Sequence, residues 1–121
     1  MQAQDIIGQI VADLRLDQSS LSIGDCKRVI AGLEDGEALA ALGITDDDQE
    51  AVEEAHSAMQ AAMQDLELAA VPGGPQQVWA GWVWVGDDGR EQSWSKAPTL
   101  EGCEAKMAQA IRLHGVDGAL A

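Results

Sequence analysis

The chain has 121 residues and a mass of 12.7 kDa, the size of one compact domain and too short for two full-sized enzyme domains. Its 46% hydrophobic content argues against intrinsic disorder, and no stretch approaches the ~18 uncharged apolar residues that a membrane span requires. Seven Lys+Arg against 21 Asp+Glu leave a net charge of −14, which disfavours direct binding to nucleic acid or an anionic membrane and favours basic partners.

The first part of the chain reads as helices. At 100° per residue, Ile6, Ile7, Ile10, Val11 and Leu14 fall within an arc of ~140°, the apolar face of an amphipathic helix closed by Asp17-Gln18-Ser19-Ser20. Ser22 and Asp25 have the spacing of a capping box, and Ile23, Cys26, Val29, Ile30 and Leu33 then share one face of a second helix that ends near Asp35-Gly36. A short third turn over 37–42 stops at Gly43. Thr45 can cap the longest helix, whose first turn of Asp46, Asp47 and Asp48 suits the positive end of the helix dipole and which runs to about Ala70. Val52, Ala55, Met59, Ala62, Met63 and Leu66 give that helix one apolar seam.

Two prolines and two glycines within 71–77 predict a linker. Beyond it the period changes. Residues 78–85 are β-branched and aromatic, Asp87-Asp88-Gly89 is a turn signal, and 90–95 can return as the partner strand of a hairpin. Leu100, Cys103, Met107, Ala110, Ile111 and His114 then lie on one arc of ~100° of a last helix, capped by Gly115, leaving 116–121 as a disordered end. The expected fold class is α+β: an acidic bundle of three to four helices over 1–70, the linker 71–77, and a ββα lobe over 78–121, the two lobes sharing one core. Residues 1–70 hold 15 acids and 3 bases, whereas 71–121 hold 6 acids and 4 bases, so the acidity belongs to the first lobe.

Two constellations stand out as candidate partner-binding surfaces. Glu34, Asp35, Glu37, Asp46, Asp47, Asp48, Glu50, Glu53 and Glu54 form a run with no Lys or Arg between them. On the long helix, Asp46, Asp47, Glu50, Glu53 and Glu54 share an arc of ~120° opposite the apolar seam, with Asp48 on the seam side as a cap. Six carboxylates over nine residues amount to about one charge per 2 Å of helix axis, close to the ~1.7 Å spacing of charge along duplex DNA. Such a stripe can imitate a nucleic-acid backbone. It does not read as a calcium loop, because the sixth and twelfth positions of an EF-hand counted from Asp46 are Ala51 and Ser57.

The second constellation is aromatic. Trp79, Trp82, Trp84 and Trp94 are the only aromatic residues of the Phe/Trp/Tyr type. Strand alternation and a turn closed at Asp88-Gly89 place Trp94 opposite Val83 and leave Trp82 and Trp84 on a face away from the C-terminal helix, to be covered by the helical lobe or by a partner.

Nothing points to catalysis. The carboxylates sit on an exposed arc rather than in a desolvated cleft, no nucleophile elbow or phosphate loop occurs, and neither His56 nor His114 has metal-ligand company, so no catalytic residue, metal or cofactor is expected. Cys26 and Cys103 form no C-x-x-C pair and read as core thiols, and the N-terminal residues lack a basic, apolar leader, so a cytoplasmic protein is expected. In size and acidity the chain resembles the small proteins that phages make against host defence systems, anti-CRISPR inhibitors included. That resemblance implies an inhibitor that occupies the basic surface of a nucleic-acid-binding protein, here through Glu34, Asp35, Glu37, Asp46, Asp47, Glu50, Glu53 and Glu54, with Trp82 and Trp84 as a second contact. The alternative is a self-associating structural protein, a homodimer through the tryptophan hairpin.

Overall fold

In the computed structural model, which describes residues 1–120, helices come first and a three-stranded antiparallel sheet and a last helix follow, an α+β fold as the sequence predicts. The chain divides into two compact units, Met1–Met63 and Gln64–Ala121. The first contains α1 (Ala3–Asp13), α2 (Ile23–Glu34), α3 (Gly36–Ala41) and the start of α4 (Gln49–Ala70). No helix among the described residues is long and apolar enough to cross a membrane.

Acidic side chains set the helix starts of the first unit. The Gln2 amide donates to Asp5 Oδ2 at 3.1 Å ahead of α1. Ser22 and Asp25 exchange reciprocal bonds ahead of α2, the Asp25 amide donating to Ser22 Oγ at 3.1 Å and the Ser22 amide to Asp25 Oδ2 at 3.0 Å. Asp35 Oδ1 accepts from the amides of Glu37 and Ala38 and starts α3. The Thr45 amide donates to Asp48 Oδ2 at 3.2 Å, and Asp46–Asp48 form a single 3-10 turn before α4 begins. Each contact satisfies a backbone N–H that a helix leaves without an internal partner. Between α1 and α2, the hydroxyl and amide of Ser19 both donate to Asp17 Oδ1 and hold its carboxyl below the ordinary carboxylate range. Beneath these caps, Ile6, Ile10, Cys26, Val29, Leu33, Val52, Ala55 and Met59 belong to one buried cluster, as the helical phases require.

Gln64–Ala121 departs further from expectation. Instead of a linker over 71–77, Val71 is buried and β1 (Gly74–Val78) pairs with β2 (Gly81–Val85), which pairs with β3 (Glu91–Ala97). Gly73 has φ +88, and a side chain there would overlap the Val85 carbonyl oxygen, so only glycine can lead the chain into β1. Pro75 is tolerated because the two-residue turn makes Val78 and Gly81 a hydrogen-bonded pair; the next residue back, Gln77, and Pro75 two before it turn their main-chain groups to the free edge. The strand expected over 78–85 is thus broken by a turn at Trp79-Ala80, with Ala80 at φ 68. Each unit carries its own cluster of buried residues, that of the second comprising Val71, Trp84, Ala97, Cys103, Met107, Ile111 and Ala119.

The hairpin of β2 and β3 is also out of the expected register. Val85 pairs with Glu91 and Trp84 with Gln92, but Trp82 pairs with Ala97, so β3 holds four residues where β2 holds only Val83. Ser95 fills the gap. Its buried hydroxyl accepts from the Trp84 amide at 2.8 Å and donates to the Gln92 carbonyl at 2.6 Å, standing in for a ladder bond. α5 (Leu100–Ala119), started by Thr99 Oγ1 accepting from the Gly102 amide, packs on all three strands. The chain leaves the helical path at Gly115, yet 116–119 make a further helical turn with Ala119 buried, so the end expected to be disordered is folded through that point; Ala121 lies outside the described residues.

Removing the Ser95 hydroxyl strands the buried Trp84 amide and the half-buried Gln92 carbonyl at once. Ser95→Ala is expected to lower unfolding free energy by about 2 kcal/mol in a urea titration, the cost of an unsatisfied buried group; an unchanged midpoint would show that the bulge closes without it.

Candidate functional site

All eight carboxylates singled out in the first unit, Glu34, Asp35, Glu37, Asp46, Asp47, Glu50, Glu53 and Glu54, are solvent-exposed. Their surroundings separate them. Asp35 is spent on the cap of α3, Glu34 Oε1 lies 2.9 Å from His56 Nε2, and Glu53 Oε1 accepts from the Gln49 carboxamide at 3.2 Å. Glu37, Asp46, Asp47, Glu50 and Glu54 have no side-chain hydrogen bond or ion pair among the described residues, and the last four follow one another along the 3-10 turn and the first turns of α4. Asp47, Glu50 and Glu54 line one wall of a cleft of about 530 Å³ whose other wall is Met1–Gln4 at the start of α1. The α-amino group of Met1 lies 3.7 Å from Asp48 Oδ1, so a cation already stands beside this row of acids.

The tryptophan half of the candidate site is corrected. Trp84 is only 2% exposed, Trp82 packs against the same cluster, and the helix that covers them is α5, which the sequence placed on the opposite face. The Trp84 indole N–H donates to the Pro72 carbonyl at 3.1 Å, a bond that ties the ring beneath the segment read as a linker. Trp84 offers no binding face, and Trp82 is half-buried. The exposed tryptophans are Trp79, 98% exposed at the turn between β1 and β2, and Trp94, 42% exposed on the bulge. Sequence reasoning missed both because the turn at Trp79-Ala80 has none of the usual turn residues, and because the bulge leaves no mark in the local alternation.

A buried ion pair was also missed. Glu67 on α4 is fully buried, and its Oε1 accepts from Arg112 Nε and Nη2 of α5, both at 3.0 Å, while Oε2 has no partner. The sequence put Leu66 and Ala62 on the apolar seam, but both are exposed. Glu67 instead extends the four-residue steps of Met59 and Met63, which was the one signal that could have found it.

Cys26 and Cys103 are buried thiols not joined in a disulfide, and burial pushes the Cys103 thiol up from its ordinary range against a lowering hydrogen bond with Ser95. Among the described residues, no group of three His, Cys, Asp or Glu side chains is placed to hold a metal ion. Compared with known proteins, the chain matches no family model, no curated protein and no solved structure.

Arg112 is expected to matter through the charge it neutralises. Arg112→Met should destabilise the fold by about 2 kcal/mol, less than for a fully sealed pair because the Arg112 side chain is 38% exposed. Glu67→Met combined with Arg112→Met should recover most of that loss in urea unfolding; a double variant weaker than the single one would show that the pair contributes more than compensation.

Proposed function

We propose that the protein is a non-catalytic acidic binding module that occupies the basic, nucleic-acid-binding surface of a partner protein in the cytoplasm. The observation that carries this reading is the set Asp46, Asp47, Glu50 and Glu54, exposed and free of any side-chain partner, in a unit with 13 acids and 3 bases over 1–63. Asp5, Asp25, Asp35 and Asp48 cap helices, Asp17 holds a turn and Glu34 pairs with His56, whereas these four have no side-chain partner and lie within nine residues of one another. Four carboxylates over the nine residues 46–54, about one per 3 Å of axis, approach the ~3.4 Å spacing of phosphates along one DNA strand and are complementary to a row of Lys and Arg, and the cleft beside Asp47, Glu50 and Glu54 gives one long basic side chain room to enter. The likeness in size and acidity to phage inhibitors of host defence, anti-CRISPR proteins included, agrees with this role.

The self-assembling alternative has less support. Of the two rings that were to form its interface, Trp84 is buried and Trp82 is half-buried against the same cluster, and each sheet edge carries a device that discourages pairing, Pro75 on β1 and the bulge with Glu91 and Lys96 on β3.

Recovery of partners from nuclease-treated lysate of the native host, at low and at high salt, tests the proposal. A basic nucleic-acid-binding protein should be retained at low salt, lost at high salt, and not retained by the variant Asp46→Asn, Asp47→Asn, Glu50→Gln, Glu54→Gln. Retention of the same partner by that variant, or recovery of the protein alone at a multiple of its own mass, would sink the proposal.

A further inference from the structure

Two irregularities of the second unit converge on one groove. The bulge of β3 carries Trp94 away from its expected place opposite Val83 and sets its ring beside the outer face of α5, where Lys106, Gln109, Leu113 and His114 follow one another at helical spacing. At the far end, Gly115 takes φ 77 and ψ 170, a conformation closed to most side chains, and breaks α5 so that the following turn packs back with Ala119 buried. Gly118 must stay small there, since a side chain would crowd His114 Cβ at 2.9 Å. Between these features lies a groove of about 520 Å³, a size typical of small-molecule sites. Bulges and broken helices sacrifice regular hydrogen bonds, and they recur where a side chain has to be re-aimed for binding.

The lining has a definite chemistry. Trp94 and Leu113, 42% and 68% exposed, provide apolar walls that no residue covers. The only formally charged side chain in the lining is Lys106, although the chain carries 21 acids and 7 bases, three acids for every base. The Lys106 ammonium donates to the Lys96 carbonyl, which fixes its position and leaves two of its three N–H donors for a ligand. Gln109 and His114 add polar atoms, and among the described residues no carboxylate lines the groove to repel an anion.

We propose that this groove binds a small aromatic carboxylate, with its ring against Trp94 and Leu113 and its carboxylate at Lys106. The site is separate from the acidic surface of the first unit and does not depend on the function proposed for it.

Titration of the ¹⁵N-labelled protein with 2-naphthoate, and with 2-naphthylmethanol as a neutral match, tests the assignment. Naphthoate should move the Trp94 indole N–H signal, identified by its loss in Trp94→Phe, and should bind about tenfold tighter than the alcohol, the share of one charge-assisted hydrogen bond. Lys106→Gln should remove that advantage and leave the alcohol unaffected. Leu113→Asp, a change at an exposed position, should repel naphthoate while the folded spectrum persists. Equal affinity for acid and alcohol, or no saturable Trp94 shift by about 1 mM ligand, overturns the proposal. A Trp94 signal that moves with protein concentration alone assigns the groove to a second copy of the chain and overturns it equally.

Discussion

Trp84 lies in the middle strand with its ring beneath α5, so both of its N–H donors are sealed from water and each has to find an acceptor. The amide points toward β3 and is taken by the Ser95 hydroxyl, which passes a hydrogen bond on to Gln92. The indole N–H is taken by the Pro72 carbonyl, twelve residues earlier. The first bond explains why β3 is bulged, because Ser95 can occupy the ladder only if the strand carries extra residues around it. The second explains why a segment rich in proline and glycine is ordered, because the Pro72 carbonyl is held against the ring just before Gly73 turns the chain into β1. Most of what distinguishes Gln64–Ala121 from a plain hairpin and helix follows from pinning that one side chain.

The excess of acid is distributed with a logic of its own. A helix start leaves amides without partners and favours negative charge, and Asp5, Asp25, Asp35 and Asp48 are used there. Asp17 and Asp88 brace turns through their neighbours' amides. Glu67 is the costly exception, a carboxylate buried beside Arg112 with one oxygen left over, and a chain with so few cations spends one of them on it. Asp46, Asp47, Glu50 and Glu54 are exposed without a side-chain partner and are crowded into nine residues. Mutual repulsion along the stripe works against the fold, and it is relieved when an opposite charge arrives.

The helices of the first unit were legible because everything that specifies them lies within a turn or two: the apolar phase, the Ser22 and Asp25 box, the Thr45 start of the acidic run. The exposure of the acidic stripe was legible for the same reason, since helical phase alone sets it opposite Val52, Ala55 and Met59. The seam of α4 was misread beyond Met63 because the helix passes there from one buried cluster to another, and the residue that serves the second is Glu67. The sheet was misread because its determinants are distant in sequence. Nothing local says that Pro75 will face a free edge, that Ala80 will hold a left-handed turn, or that Ser95 will replace a backbone partner of Trp84.

The two surfaces proposed for binding have opposite electrical character, and salt acts on them in opposite senses. A basic partner drawn to the stripe gains from the long-range field of a chain at −14 and loses that gain as ions screen it. An aromatic acid approaching Lys106 has to move against the same field, so screening removes an obstacle while the short contact with the ammonium, made within a few ångströms beside an apolar wall, is reduced far less. The same net charge therefore helps one kind of ligand and hinders the other. A groove that binds an anion on so acidic a protein has to rely on close contacts with Trp94, Leu113 and Lys106 rather than on attraction from a distance.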